Sequence, residues 1–300
     1  MVVEEGGARA QRAVQVQSYG LRSGVLLALA AVLAFSTSPV FVLAAAPLSP
    51  FDITFGRLVV AAICVAVLGR LYRQPLLPSH RELPLFIGFG LITALHFLSY
   101  IASLNYTTIA QSLAIVYTAP IFVTFFSATL LKEPVSPRRW LGVLVAVSGI
   151  AVLVGFEPRM DVRMAFGDLL ALVSAVTFGL YSVAGRSQRA RYGLFTYAGT
   201  VYGVAALWAL PAAALTLHPQ ALQLKPLLAL LAAGLIPLAI GHTLYNAALR
   251  RAHATIVNLI ATQEVTGGVL LGAIFLGQMP QSNEIVGAAV ALVGIALVLI

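Results

Sequence analysis

A chain of 300 residues in which 60% are hydrophobic and only 9% charged cannot clothe a water-facing globule, which carries about 25% charged residues. The net charge of +8 sits in short loops between apolar runs, a placement that points to membrane topology rather than to nucleic acid. A mean hydropathy of +0.96 makes lipid part of the solvent, and no strand-like alternation of polarity suggests an outer-membrane barrel.

Residues 1–23 are polar and hold no apolar core of a cleavable leader, so they read as a cytoplasmic tail. The first apolar run then acts as its own insertion signal. Apolar runs long enough to cross about 30 Å of hydrocarbon follow at 24–46, 52–69, 83–104, 108–131, 139–155, 167–185, 194–216, 226–249, 254–277 and 283–300. With the N-terminus inside, the inner segments carry 14 Arg or Lys, among them Arg73, Lys132, Arg186 and Arg250, against Arg159, Arg163 and Lys225 outside. That bias places both termini in the cytoplasm under the positive-inside rule. The single cysteine, Cys64, lies inside a span and reads as a small apolar filler.

The two halves, 24–155 and 167–300, resemble each other. Gly24 to Phe35 matches Gly167 to Phe178, and Tyr100, Ala102 and Leu104 match Tyr245, Ala247 and Leu249. Gly142, Val145, Ala146, Gly149, Ile150 and Ala151 fall on Gly287, Val290, Ala291, Gly294, Ile295 and Ala296. Five spans per repeat is an odd number, so the second copy is expected to enter the membrane inverted. The fold class is thus an all-α membrane protein of ten helices in two inverted five-helix repeats, an arrangement of alternating-access carriers.

The stretch Lys132-Glu133-Pro134, then Trp140-Leu141-Gly142 and Ser148-Gly149-Ile150, resembles the EamA-type, ten-helix branch of the drug/metabolite transporter superfamily. The second copy reads Gly277-Gln278-Met279-Pro280, Val286-Gly287 and Val293-Gly294-Ile295. It departs from the family pattern at Gln278 and at Glu264-Val265, where Glu and Glu-Pro are usual. The resemblance spans nearly the whole chain. It implies a secondary transporter of the bacterial inner membrane, most similar to exporters of amino acids, particularly aromatic ones. Amphipathic drugs and nucleotide sugars are the alternatives.

Several polar groups lie inside the spans. Arg57 and Glu264 are charged at membrane depth, where a charge costs about 2.5–3.5 kcal/mol on insertion scales. Each is either a structural anchor or part of the pathway. His96 and His242 are open to the same two readings. No second His, Cys or carboxylate stands at metal-ligand spacing with them, so neither metal nor cofactor is expected. Tyr100 and Tyr245, equivalent in the repeats, read as gates at opposite mouths or as interfacial anchors. Tyr117 and Asn246 complete the pathway candidates. Pro39, Pro120 and Pro237 are hinge candidates, because proline frees a backbone carbonyl. Pro211 also falls inside a span. Gly199-xxx-Gly203 and Gly268-xxx-Gly272 offer small faces for close helix packing. No His-Glu-x-x-His, Gly-x-Ser-x-Gly or aspartate pair argues for an enzyme. A channel needs repeated rings of carbonyls or charges. The expected partners are a small-molecule substrate and the bilayer, without nucleic acid; a monomeric carrier is favoured and a dimer left open.

Overall fold

The computed structural model describes residues 20–107, 109–155, 161–267, 279 and 281–299. Gly268-xxx-Gly272, Gln278 and residues 156–160 of the 156–165 loop lie outside the described residues, as do residues 1–19. Among the described residues the chain is all helical. The helices are α1 (20–35), α2 (Ser38–Ala44), α3 (Pro50–Leu71), α4 (Leu83–Ser103), α5 (Ile109–Val116), α6 (Ala119–Thr129) and α7 (Pro137–Leu153). They continue with α8 (Val162–Ser187), α9 (Leu194–Thr216), α10 (Leu224–Ala233), a π-helical segment (Gly234–His242), α11 (Thr243–Leu249), α12 (Ala254–Ala261) and α13 (Ser282–Leu299). Residues 264–267 form one more helical turn after α12.

Among the described residues eight stretches are long and apolar enough to cross a membrane: Gly20–Ala44, Pro50–Leu71, His80–Ser103, Gln111–Thr129, Val162–Ser187, Leu194–Thr216, Leu224–Leu249 and Ser282–Leu299. Their outer faces carry leucine and valine, with Leu33, Leu71, Leu207 and Leu292 more than half exposed. In lipid such a face is at home. The expected fifth span is present as α7, and it holds 17 residues. The sixth begins at Val162, a turn and a half earlier than its apolar run suggests, because Asp161 caps the helix by accepting from the Arg163 N–H at 2.8 Å.

Four spans are broken. The chain leaves the helix at Thr37, at Thr118 and at Thr262, and the run after Ala233 widens into the π-helical segment. Pro39 and Pro120 stand in the first turns after the first two breaks. Each lacks the N–H that the carbonyl four residues earlier would accept. The break at Thr262 has no proline. At each of the three, the threonine hydroxyl donates to the carbonyl three residues back, Ala34, Ile115 or Leu259, at 2.7 Å in every case. Pro237 lies within the π-helical segment, where wider hydrogen bonding accommodates the ring. Pro211, by contrast, sits inside an uninterrupted α9.

Between the halves α3 packs on α9, α4 on α8 and α7 on α13. The last pair is the tightest. Gly142 lies against Gly294 and Val298, whereas Gly149 lies against Gly287 and Ala291, so α7 and α13 run antiparallel. A Cβ at Gly149 would run into the backbone of Ala291, and one at Gly287 into that of Leu153. Glycine is what lets the two backbones touch.

Candidate functional site

The loops after α3, α6, α8 and α11 hold Arg73, Arg81, Lys132, Arg189, Arg191, Arg250 and Arg251, and mark the basic end of the bundle. Within the bundle is a small cavity of about 50 Å³. Its wall is built from α1 (Phe35), α2 (Ser38), α3 (Arg57), α4 (His96, Phe97, Tyr100) and α5 (Leu113, Val116), together with Tyr117. The second half adds Phe178 of α8, Pro237 and His242 of the π-helical segment, Ala261 of α12 and Glu264. All four helix interruptions meet here. That is the place where unravelled backbone is tolerated at membrane depth, since a cavity and its contents serve the freed groups.

Of the eight pathway candidates, six line this cavity: Arg57, His96, Tyr100, Tyr117, His242 and Glu264. Arg57 is 2% exposed, and its Nε has no hydrogen-bond partner among the described residues. Its guanidinium carbon stands 5.0 Å from the centre of the Phe97 ring, a cation–π distance that favours a desolvated cation. Glu264 lies within electrostatic range of Arg57, Tyr100 and Tyr117, and its backbone carbonyl accepts from Ser36 Oγ at 3.1 Å. A cation and a carboxylate, brought by opposite halves, thus share one apolar chamber.

His96 is held by Ser174, whose carbonyl and hydroxyl lie 3.1 and 3.0 Å from Nδ1. Phe178 stacks on its other side, with centroids 4.6 Å apart and planes at 13°. The imidazole is therefore fixed in place while still facing the cavity. His242 packs its ring on Phe35, Phe97 and Tyr181.

Tyr245 and Asn246 are elsewhere. Both lie fully or almost fully buried beside the cavity, 0% and 2% exposed. Tyr245 is bound to Ser182 at 2.6 Å and to Asn258 at 3.0 Å, so it stands at no open mouth in this structure. Of the hinge candidates, Pro237 lines the cavity, while Pro39 and Pro120 start helices that border it. The aromatic wall has no charge or helix break to mark it in the sequence; its one signal there is the repeat, in which Phe35 and Phe178 are equivalent.

A second cluster closes the basic end. Glu133 binds Arg186 through Nε at 3.0 Å and Nη2 at 2.9 Å, with Arg189 at 3.7 Å. His253 accepts from the Thr255 N–H on Nδ1, which puts its proton on Nε2, 3.2 Å from the other Glu133 oxygen. Arg186 also donates to the Leu249 carbonyl at 2.9 Å. A loop of the first half is thereby tied to three elements of the second. At the other end Asp168 accepts from Thr107 and Gln111, each at 3.0 Å, and Asp52 accepts from Thr216 at 3.1 Å.

The sequence pattern of the EamA-like transporter family matches residues 22–155 and again residues 165–300. The chain belongs to the EamA-like transporter family. Within it, the chain is 29% identical to the pseudopaline exporter CntI of Pseudomonas aeruginosa strain UCBPP-PA14, over 91% of this chain and 94% of that protein. An uncharacterized transporter of Archaeoglobus fulgidus is 22% identical over 83% of this chain and 88% of its own length. A solved crystal structure superposes with a TM-score of 0.77 at 21% identity, covering 92% of this chain and 96% of that one; this last likeness concerns the fold. The EamA repeats contribute to the cavity from both sides, Arg57 from the first and Glu264 from the second.

Proposed function

We propose that this EamA-family protein is an inner-membrane secondary carrier that exports small zwitterionic metabolites, amino acids with aromatic side chains among them. It works by alternating access of ten helices arranged as two inverted five-helix repeats. The observation that carries the substrate class is the pairing of Arg57 and Glu264 across one cavity lined by Phe35, Phe97 and Phe178. A substrate carboxylate finds the forked guanidinium. Its ammonium finds the Glu264 carboxylate, and its apolar body finds the rings.

The inverted arrangement draws support from the antiparallel packing of α7 against α13, since these are the closing helices of the two repeats. Further pairs agree. α4 on α8 has its counterpart in the π-helical segment on α1, where a Cβ at Gly241 would meet the Phe35 ring at 2.9 Å. Both termini are assigned to the cytoplasm from the loop charges.

A second reading is favoured by the relatives named pseudopaline exporters, at 29% identity over 91% of this chain: the cargo is a larger metabolite of that kind. Uptake into proteoliposomes separates the two, with radiolabelled phenylalanine, leucine, lysine, a nucleotide sugar and purified pseudopaline offered in parallel. Saturable uptake of phenylalanine, competed by unlabelled phenylalanine and absent for the nucleotide sugar, is expected. Uptake of pseudopaline alone decides for the second reading.

A further inference from the structure

Between the cavity and the basic end, α8, α9, α11 and α12 enclose a polar cluster whose protons can be placed one at a time. Asn246 Nδ2 lies 2.9 Å from the His242 carbonyl, which only accepts, so the amide orientation is set. The same nitrogen donates to the Tyr181 hydroxyl at 2.6 Å and lies 3.3 Å from the Tyr202 hydroxyl of α9. Ser182 Oγ donates to the Phe178 carbonyl at 2.7 Å, so in its 2.6 Å contact with Tyr245 the tyrosine is the donor. The Tyr245 oxygen then accepts from Asn258 Nδ2 at 3.0 Å. That fixes the second amide as well.

Two carbonyl oxygens are left over. Asn246 Oδ1 and Asn258 Oδ1 are buried and have no donor among the described residues, in side chains 2% and 0% exposed. At membrane depth there is no bulk water to serve them. Both are acceptors, so a donor group such as an ammonium completes them; His242 Nδ1 and Thr243 Oγ1, on the same stretch of chain, are also without partners among the described residues.

Their cover is thin. Asn246 Oδ1 packs against the backbone of Gly185, where a Cβ would stand 2.7 Å from it. The next residue of α8 is Arg186, held by Glu133 of the other half at 2.9 Å. His242 joins the cluster to the cavity, since it lines the cavity and offers its carbonyl to Asn246.

We propose that Asn246 and Asn258 form a transfer subsite for the ammonium group of the substrate, covered in this structure by the basic end of α8. The proposal rests on the zwitterion reading above. Release of Arg186 from Glu133 lets α8 move away from Asn246, and an ammonium entering from that end meets the two amide oxygens before it reaches Glu264. The same groups, being neutral, hold a cation less firmly than the carboxylate does, so they pass it on.

The test uses the full chain with Cys64→Ala and Ala184→Cys. Ala184 is 7% exposed and adjoins Gly185, so an impermeant maleimide reaches it only when α8 moves. Butylammonium chloride is the probe and sodium chloride at equal ionic strength the control. Butylammonium, which binds only once α8 has moved, favours that state and is expected to speed labelling at least threefold, and Asn246→Leu or Asn258→Leu, each judged separately after its melting temperature is checked, is expected to abolish the acceleration. An acceleration that survives both substitutions places the cation elsewhere and overturns the proposal, as does its absence in the parent protein. A cysteine that stays unlabelled even after Glu133→Gln overturns the covering role of α8. Since the probe is a bare ammonium, a parent protein that carries no amino acid removes the functional reading without deciding this measurement.

Discussion

Arg57 shows how a single residue ties sequence to chemistry. It sits in α3 among apolar neighbours, almost without exposure, with an unpartnered Nε and Phe97 for company. A buried cation so sparsely paired is costly, and a bound carboxylate removes that cost. Glu264 stands in the same chamber from the opposite half. Each is expected to contribute a charge-assisted hydrogen bond to the substrate, about 1.5–3 kcal/mol, or about 10- to 100-fold in affinity. Arg57→Ala and Glu264→Gln should therefore lower transport efficiency in proteoliposomes by that range while eluting as folded protein. Wild-type rates in both variants make the two residues bystanders. The presence of both charges was legible in the sequence, because a charge in an apolar run announces itself. Their meeting was not, since 207 positions separate residues 57 and 264.

At the scale of elements, the breaks and the close packings divide the work. Pro39 and Pro120 could be read as hinges, and helices do restart there. The interruption at Thr262 could not, because no proline marks it; it was hidden in the repeat, at the position equivalent to Tyr117. Pro211 shows the converse, a proline that leaves its helix unbroken. α7 and α13 form a close-packed seam beside two of these breaks, with Ile150 and Ala291 in one cluster with Tyr117 and Val265. Gly149→Leu should force the seam apart at a cost of about 1–3 kcal/mol and lower the melting midpoint in detergent. Leu144→Ile, on the lipid-facing side of the same helix and 51% exposed in the native residue, should leave it unchanged. Equal midpoints for the two variants count against glycine contact as the source of that packing.

For the whole molecule, orientation is the property most open to a direct check. The loop charges assign the basic end to the cytoplasm, and Ser187 closes α8 at that end. In a Cys64→Ala background, Ser187→Cys should be blocked by an impermeant maleimide only in inside-out vesicles. Labelling from the outside of intact cells overturns the assignment and, with it, the direction of the gate. The ties around Glu133 close the basic end, while Asp168 and Asp52 bind the other, so opening either mouth means breaking ionic or charge-assisted contacts between halves.

Helical spans, loop charges and the repeat are one-dimensional properties: each depends on residues near one another in sequence or at one fixed offset. Composition and run length were therefore enough to establish an all-helical membrane protein of two related halves. Four helix breaks converging on one cavity, the pairing of Arg57 with Glu264, and the burial of Tyr245 away from any mouth depend on how distant segments pack. Equivalent tyrosines in the two repeats, each followed by Ala two residues on and Leu four residues on, have different surroundings, Tyr100 on the cavity wall and Tyr245 in the polar cluster below it. Local sequence sets what a side chain can bind; only packing across the two halves decides what it meets.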